Sequence, residues 1–253
     1  MAKLLIKDVN INYSCSGTSK DTVVLLHGWG QNMTMMVQIE NHLADRFTVY
    51  NIDLPGFGKS DTPLIAWSVY DYADCLKQFM DRLSIYDPII IAHSFGARLA
   101  IILAANNDIS KMVLTGAAGI KDKRHLDYYL KVYSYKLAKN TLKIFGLKKY
   151  QEQLSNNAGS SDYQNTSGVM RATFVKIVNE DLTKYLSDIK AEVLLVWGEK
   201  DMATPLWMGK TMAELIPNAG LAIFENDDHY AYYNQTQRFL KVLDIFLGSQ
   251  QVD

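Results

Sequence analysis

Short apolar runs, rich in valine, isoleucine and leucine, recur along this chain, and most are bounded by glycine, proline, asparagine or aspartate. Those at 4–6, 9–14, 22–26, 48–52, 88–91, 112–115, 193–197 and 221–224 predict short strands. Between them the apolar positions repeat at helical spacing, which predicts helices at 37–44, 69–83, 97–105, 206–216 and 236–247. The 69–83 segment sets Tyr72, Leu76, Phe79, Met80 and Leu83 on one helical face. Most strand runs are continuously apolar, as in strands covered on both sides. Strand and helix alternate, so the expected fold class is α/β: a mostly parallel central sheet with helices on both faces.

The stretch 119–190 breaks this alternation. It offers no convincing strand, and Leu126, Tyr129, Leu130, Tyr133 and Leu137 fall at helical spacing, as do Met170, Phe174, Ile177 and Val178. A polar loop, 156–161, lies between the two groups. The segment is far longer than an ordinary connection. It is therefore read as a helical cap (119–190) inserted into a core made of 1–118 and 191–253, over the carboxyl ends of the strands where open α/β sheets bind ligands.

Chemistry concentrates at Ala92-His93-Ser94-Phe95-Gly96, between the run 88–91 and the small-residue helix pattern 97–105. A serine at so sharp a strand-to-helix turn stands exposed above the sheet, provided the residues two before and two after it are small. Here they are Ala92 and Gly96. The alternative for Ser94 is a plain helix cap. Serine nucleophiles need a base, a group that orients the base, and donors for an oxyanion. Of the five histidines, His27, His42, His93 and His125 lie in an early turn, a helix, the elbow and the cap, and only His229 follows the last strand. Asp201 stands just past the strand 193–197, at the same sheet edge, and is the expected partner of His229. Glu199, two residues away, is the competitor. The backbone N–H of Phe95 and that of Trp29, in the turn His27-Gly28-Trp29-Gly30, are the expected oxyanion donors.

Five segments in this order resemble the α/β-hydrolase superfamily over nearly the whole chain: HGWG at 27–30, DLPGFGKSD at 53–61, AHSFG at 92–96, WGEKD at 197–201 and DHY at 228–230. The elbow departs from the usual G-x-S-x-G by an alanine at its first position. Within the superfamily, HGWG and the modest length are similar to small carboxylesterases, the biotin-pathway methyl ester esterase and enol-lactonases. The resemblance implies a Ser94-Asp201-His229 triad cleaving small-molecule carboxylic esters through an acyl-enzyme, with no metal or cofactor. C–C bond hydrolysis, lactone opening, thioester cleavage and a non-catalytic ligand-binding role remain open alternatives.

Composition narrows the field a little further. At 253 residues, 48% apolar and 21% charged, the chain fits one globular α/β domain with a cap. A net charge of −1 gives no overall attraction to nucleic acid or membrane. Two separated cysteines, Cys15 and Cys75, make no disulfide framework and read as small buried residues. Charges interrupt the first apolar run, so it reads as no signal peptide, and a cytoplasmic protein is the expectation. In the cap, Lys121, Lys123, Arg124, Lys131, Lys136, Lys139, Lys143, Lys148 and Lys149 face few acids. They form either a solvated surface or a docking site for an acidic carrier protein.

Overall fold

In the computed structural model, residues 1–107, 109–121, 141–142, 147, 150 and 161–248 are described. Eight strands form one sheet: β1 (Ala2–Ile6), β2 (Val9–Ser16), β3 (Thr22–Leu26), β4 (Thr48–Ile52), β5 (Ile89–His93), β6 (Lys111–Thr115), β7 (Glu192–Gly198) and β8 (Ala219–Phe224). Their spatial order is β1-β2-β4-β3-β5-β6-β7-β8. β2 pairs antiparallel with β1 and with β4, and every other pairing is parallel. The β1–β2 hairpin turns through Lys7 and Asp8, both at positive φ (47° and 62°). Two successive positive φ values are what a tight two-residue hairpin needs to match the twist of its strands.

The central strands are mostly apolar because both faces are covered. Alternate residues divide cleanly. Val24, Leu26, Ile90, Met112, Leu114, Val193, Leu195 and Trp197 belong to one core cluster; Val23, Leu25, Ile89, Ile91, Val113, Leu194 and Val196 belong to the other. The first face is covered by α2 (Val69–Arg82), α3 (Phe95–Asn106) and, later in the chain, a helix at Leu206–Leu215. The second is covered by α1 (Val37–Leu43) and the last helix, Thr236–Leu247. α2 begins at Ser68, whose side chain and Asp71 form a reciprocal capping box. α3 is buried on every side from Phe95 to Ala104, which explains its alanine- and leucine-rich sequence.

Among the described residues of 161–190 there is no strand. They form α4 (Ser161–Gln164), α5 (Gly168–Asn179) and a 3-10 turn (Thr183–Asp188). Phe174 and Ile177 are the buried face of α5, as their spacing predicts. Ser161 opens α4 rather than closing the polar loop. The expected helix through Leu126 and Leu137, and the basic residues from Lys123 to Lys149, lie outside the described residues. The remaining helices are α6 (Leu206–Leu215), α7 (Ala231–Asn234) and α8 (Thr236–Leu247). One expectation is corrected: Cys75 is buried, but Cys15 is exposed. Cys15 shares its strand face with Ile11 and Tyr13, yet it sits near the end of β2, at the margin of the core. No helix among the described residues is long and apolar enough to cross a membrane.

Candidate active site

β5 ends at His93 and α3 starts at Phe95, so Ser94 alone makes the turn between them. Its backbone sits at φ 49°, ψ −104°. A helix-capping serine has an extended backbone and accepts an N–H bond from the first turn. Ser94 does neither, which removes the capping alternative. Non-glycine residues held in such sparsely populated regions cost about 1–3 kcal/mol and need firm surroundings. Three bonds supply them: Ser94 N–H donates to the Thr115 carbonyl (3.0 Å), and the Ser94 carbonyl accepts from Ala97 and Ala118 N–H (both 3.2 Å). Gly96 is forced by packing, since a Cβ there would lie 2.6 Å from the Leu26 carbonyl oxygen and 2.9 Å from that of His27. The methyl of Ala92, by contrast, is accommodated in the core without exposure.

β7 and β8 bring the acid and the histidine together. Asp201 lies three residues past β7 and is 3% exposed; His229 stands in the loop after β8. His229 Nδ1 is 2.8 Å from Asp201 Oδ2. Thr204 Oγ1 donates to the same oxygen (2.7 Å), while Ala203 and Thr204 N–H both donate to Oδ1 at 2.8 Å. Burial works against the Asp201 charge, but the bonds from His229 and Thr204 prevail and hold its pKa below the ordinary carboxylate value. Glu199 points elsewhere, accepting the Asn226 N–H (3.0 Å). Asp227 is occupied by Asn234 and Gln235, and Asp228 by Tyr230 N–H. Asp201 is therefore the carboxylate that meets His229. Gly116, at φ +48°, lets the histidine close in: a Cβ there would fall 2.9 Å from His229 Nδ1.

Two further histidines stiffen the surroundings. Burial lowers His27 to about 4, against the opposing influence of the Gly28 carbonyl and Asp53. Neutral His27 donates from Nδ1 to the Gly28 carbonyl (2.7 Å) and accepts the Leu54 N–H at Nε2 (3.0 Å), a tautomer set by those two partners. The 27–30 turn is thus tied to the 53–58 loop. Asp53 completes the tie by accepting N–H bonds from Met33 (2.8 Å) and Lys59 (2.9 Å). His93 is also fully buried and is lowered to about 3, by burial first and by His229 second. Its ring centroid lies 4.7 Å from that of His229, and its Nε2 has no hydrogen-bond partner among the described residues.

Ser94, Phe95, Trp29 and His229 share one cavity of ≈ 610 Å³. Neither the Trp29 nor the Phe95 backbone N–H makes a hydrogen bond among the described residues. The indole of Trp29 packs edge-on against Phe95 (5.3 Å) and tilted against Phe174 of α5 (5.1 Å). Ile120, Ile177 and Met208 add apolar wall, whereas Arg98 and Asp162 bring charge. A larger groove, ≈ 850 Å³, opens near the starts of β5, β6 and β7, at the opposite edge, and holds none of these groups. Sequence reading overlooked Thr204, whose hydroxyl matters only once Asp201 and His229 are brought together. It also overlooked Arg98, Phe174 and Asp162 as cavity residues, because only the folded chain brings α3, α4 and α5 to one place. Among the described residues no three of His, Cys, Asp and Glu gather into a cluster able to hold a metal.

Comparison with known proteins places this arrangement in a family. A 2-hydroxy-6-oxononadienedioate/2-hydroxy-6-oxononatrienedioate hydrolase of Paraburkholderia phymatum is 27% identical, over 95% of this chain and 92% of its own. Among solved structures, an esterase from Exiguobacterium antarcticum superposes with a TM-score of 0.75 at 23% identity, covering 98% of this chain and 99% of its own. The enol-lactonase of Burkholderia xenovorans gives a TM-score of 0.76 at 18% identity, covering 97% and 99%. The structural likenesses establish the fold. The family model described as alpha/beta hydrolase fold matches residues 21–236, spanning every parallel strand and both Ser94 and His229, and the chain therefore belongs to the α/β-hydrolase fold family.

Proposed function

We propose that this hydrolase cleaves carboxylic esters of small to medium acyl groups, with Ser94 as nucleophile, His229 as base and Asp201 as the group that orients it. The observation that carries this reading is the 2.8 Å Asp201–His229 contact, with His229 and Ser94 lining one cavity. Asp201 accepts the Nδ1–H of His229, which leaves Nε2 to take the Ser94 proton as Oγ attacks the carbonyl. The unpaired N–H groups of Trp29 and Phe95, the latter at the first residue of α3, are available to the oxyanion of the tetrahedral intermediate. His229 then protonates the leaving alcohol and activates a water against the acyl-enzyme. The aromatic wall of Trp29, Phe95 and Phe174 suits an apolar acyl chain. Residues 119–190 are read as the cap over this cavity, with α5 supplying Phe174.

C–C bond hydrolysis is the second reading, favoured by the chemistry named for the Paraburkholderia relative. Substrates of that kind are dianions and call for free cations in the pocket. Among the described lining residues the cation is Arg98, and its guanidinium donates to the Glu180 carbonyl at 2.9 Å. One described cation for two carboxylates supports the ester reading. The two are separated by an activity panel of p-nitrophenyl esters of increasing chain length, lactones, thioesters and a ring-fission dioate, each run against Ser94→Ala. Turnover of short and medium esters that vanishes in Ser94→Ala is expected. Turnover of the dioate alone would transfer the assignment to C–C hydrolysis.

A further inference from the structure

Arg98 and Asp162 bring formal charge to the described cavity lining, and they stand in opposite situations. Arg98 is 6% exposed and paired: its Nη1 donates to the Glu180 carbonyl, and the Asp181 and Glu180 charges favour its protonated form against the effect of burial. Its charge is answered from outside the cavity. Asp162, in α4, accepts no hydrogen bond at its carboxylate and makes no ion pair among the described residues. Although exposed as a residue, it borders the cavity closely enough that lost hydration raises its carboxyl pKa, with His229 the one charge acting against that rise. Among the described residues, this carboxylate lines the cavity with no partner of its own.

We propose that Asp162 is a specificity-determining residue that favours esters carrying a positive charge, an alkylammonium above all, and disfavours those carrying a carboxylate. Asp162 lines the same cavity as Ser94 and His229, so the charge on a bound ester meets this carboxylate within that cavity. Rejection matters as much as attraction, because an unanswered carboxylate repels a second one in the same pocket. The inference rests on the assignment of Ser94 and His229 made above. An acid with a purely structural place in the first turn of α4 would leave the choice among charged and uncharged esters unaffected.

The test compares three butyrate esters: butyrylcholine, neohexyl butyrate as its uncharged carbon analogue, and the butyrate ester of glycolate. Values of kcat/KM are measured for wild type, Asp162→Asn and Asp162→Glu. Asp162→Asn is expected to lower the choline-to-neohexyl ratio about fivefold, the size of a partly solvated ion pair, and to raise the glycolate-to-neohexyl ratio. Asp162→Glu should keep the wild-type order. Ratios in Asp162→Asn equal to those of wild type would overturn the proposal. Should Asp162→Asn fail to fold, wild-type inhibition by tetramethylammonium and by neopentyl alcohol decides instead: stronger inhibition by the cation supports the proposal, and equal inhibition overturns it. Failure of the underlying assignment has a different signature, namely neohexyl butyrate hydrolysis that persists in Ser94→Ala.

Discussion

Ser94 is held at φ 49° by bonds to Thr115, Ala97 and Ala118, and the residues of the candidate site around it were unequally visible in the sequence. Ser94, Asp201, His229, Trp29 and Phe95 could be named in advance because each follows a strand or stands at a turn that the apolar pattern marks. Asp162 and Thr204 could not, since their significance depends on what folds beside them. His27 and His93 were placed in the sequence but not understood; burial makes them acid-sensitive. Both are neutral in the native chain until about pH 4 and about pH 3, while in the unfolded chain each takes up a proton near 6.5. Below that value the unfolded state binds more protons, so stability falls as pH falls, by up to about 1.4 kcal/mol per pH unit for each histidine. Denaturant midpoints measured from pH 6.5 down to pH 4 should decline accordingly, and His93→Phe should roughly halve the slope. Flat midpoints across that window would mean that these rings are not held neutral.

At the level of elements the sequence was most informative where a strand is buried on both faces. β3 and β5 read as nearly continuous apolar runs, and the turn residues that follow them punctuate the pattern. β8 was read two residues short because Ala219 and Gly220 lack the bulk that marks a strand, and Cys15 was misplaced because strand alternation cannot say where covering helices end. The junction of β5 with α3 makes a sharper demand than any propensity. α3 lies so close to the end of β3 that Gly96→Ala would drive a methyl to 2.6 Å from the Leu26 carbonyl oxygen and 2.8 Å from its Cβ. That overpacking should cost about 1–3 kcal/mol and displace the Phe95 N–H, lowering esterase kcat more than KM. Thermal unfolding and steady-state kinetics on this one variant check both parts. An unchanged melting point would show that the elbow has slack the packing does not reveal.

Across the whole molecule, the proposed site depends on residues drawn from distant parts of one sheet. Parallel strands deliver the ends of β5 and β7 and the loop after β8 to the same edge, so Ser94 and the Asp201–His229 pair come to one edge although more than a hundred residues separate Ser94 from Asp201. That convergence was legible because the order of strands and turns implies it; the described residues of 161–190 were legible only as helical, since helix spacing does not encode what a helix leans on. Arg98 ties this stretch to α3 by donating to the Glu180 carbonyl. Arg98→Met should lower stability by about 1–3 kcal/mol, the cost of leaving that acceptor unpaired, while the rates on anionic and neutral esters keep their ratio within about twofold. A collapse in the rate on the anionic ester alone would make Arg98 a substrate ligand instead of an anchor. The central claim, that Ser94 is the activated nucleophile, is tested most directly by treating the native protein with a fluorophosphonate and locating the adduct by peptide mass spectrometry. The account predicts stoichiometric modification of Ser94, with matching loss of ester hydrolysis and neither labelling nor turnover in Ser94→Ala. An unmodified Ser94 in a protein that still hydrolyses esters would contradict it.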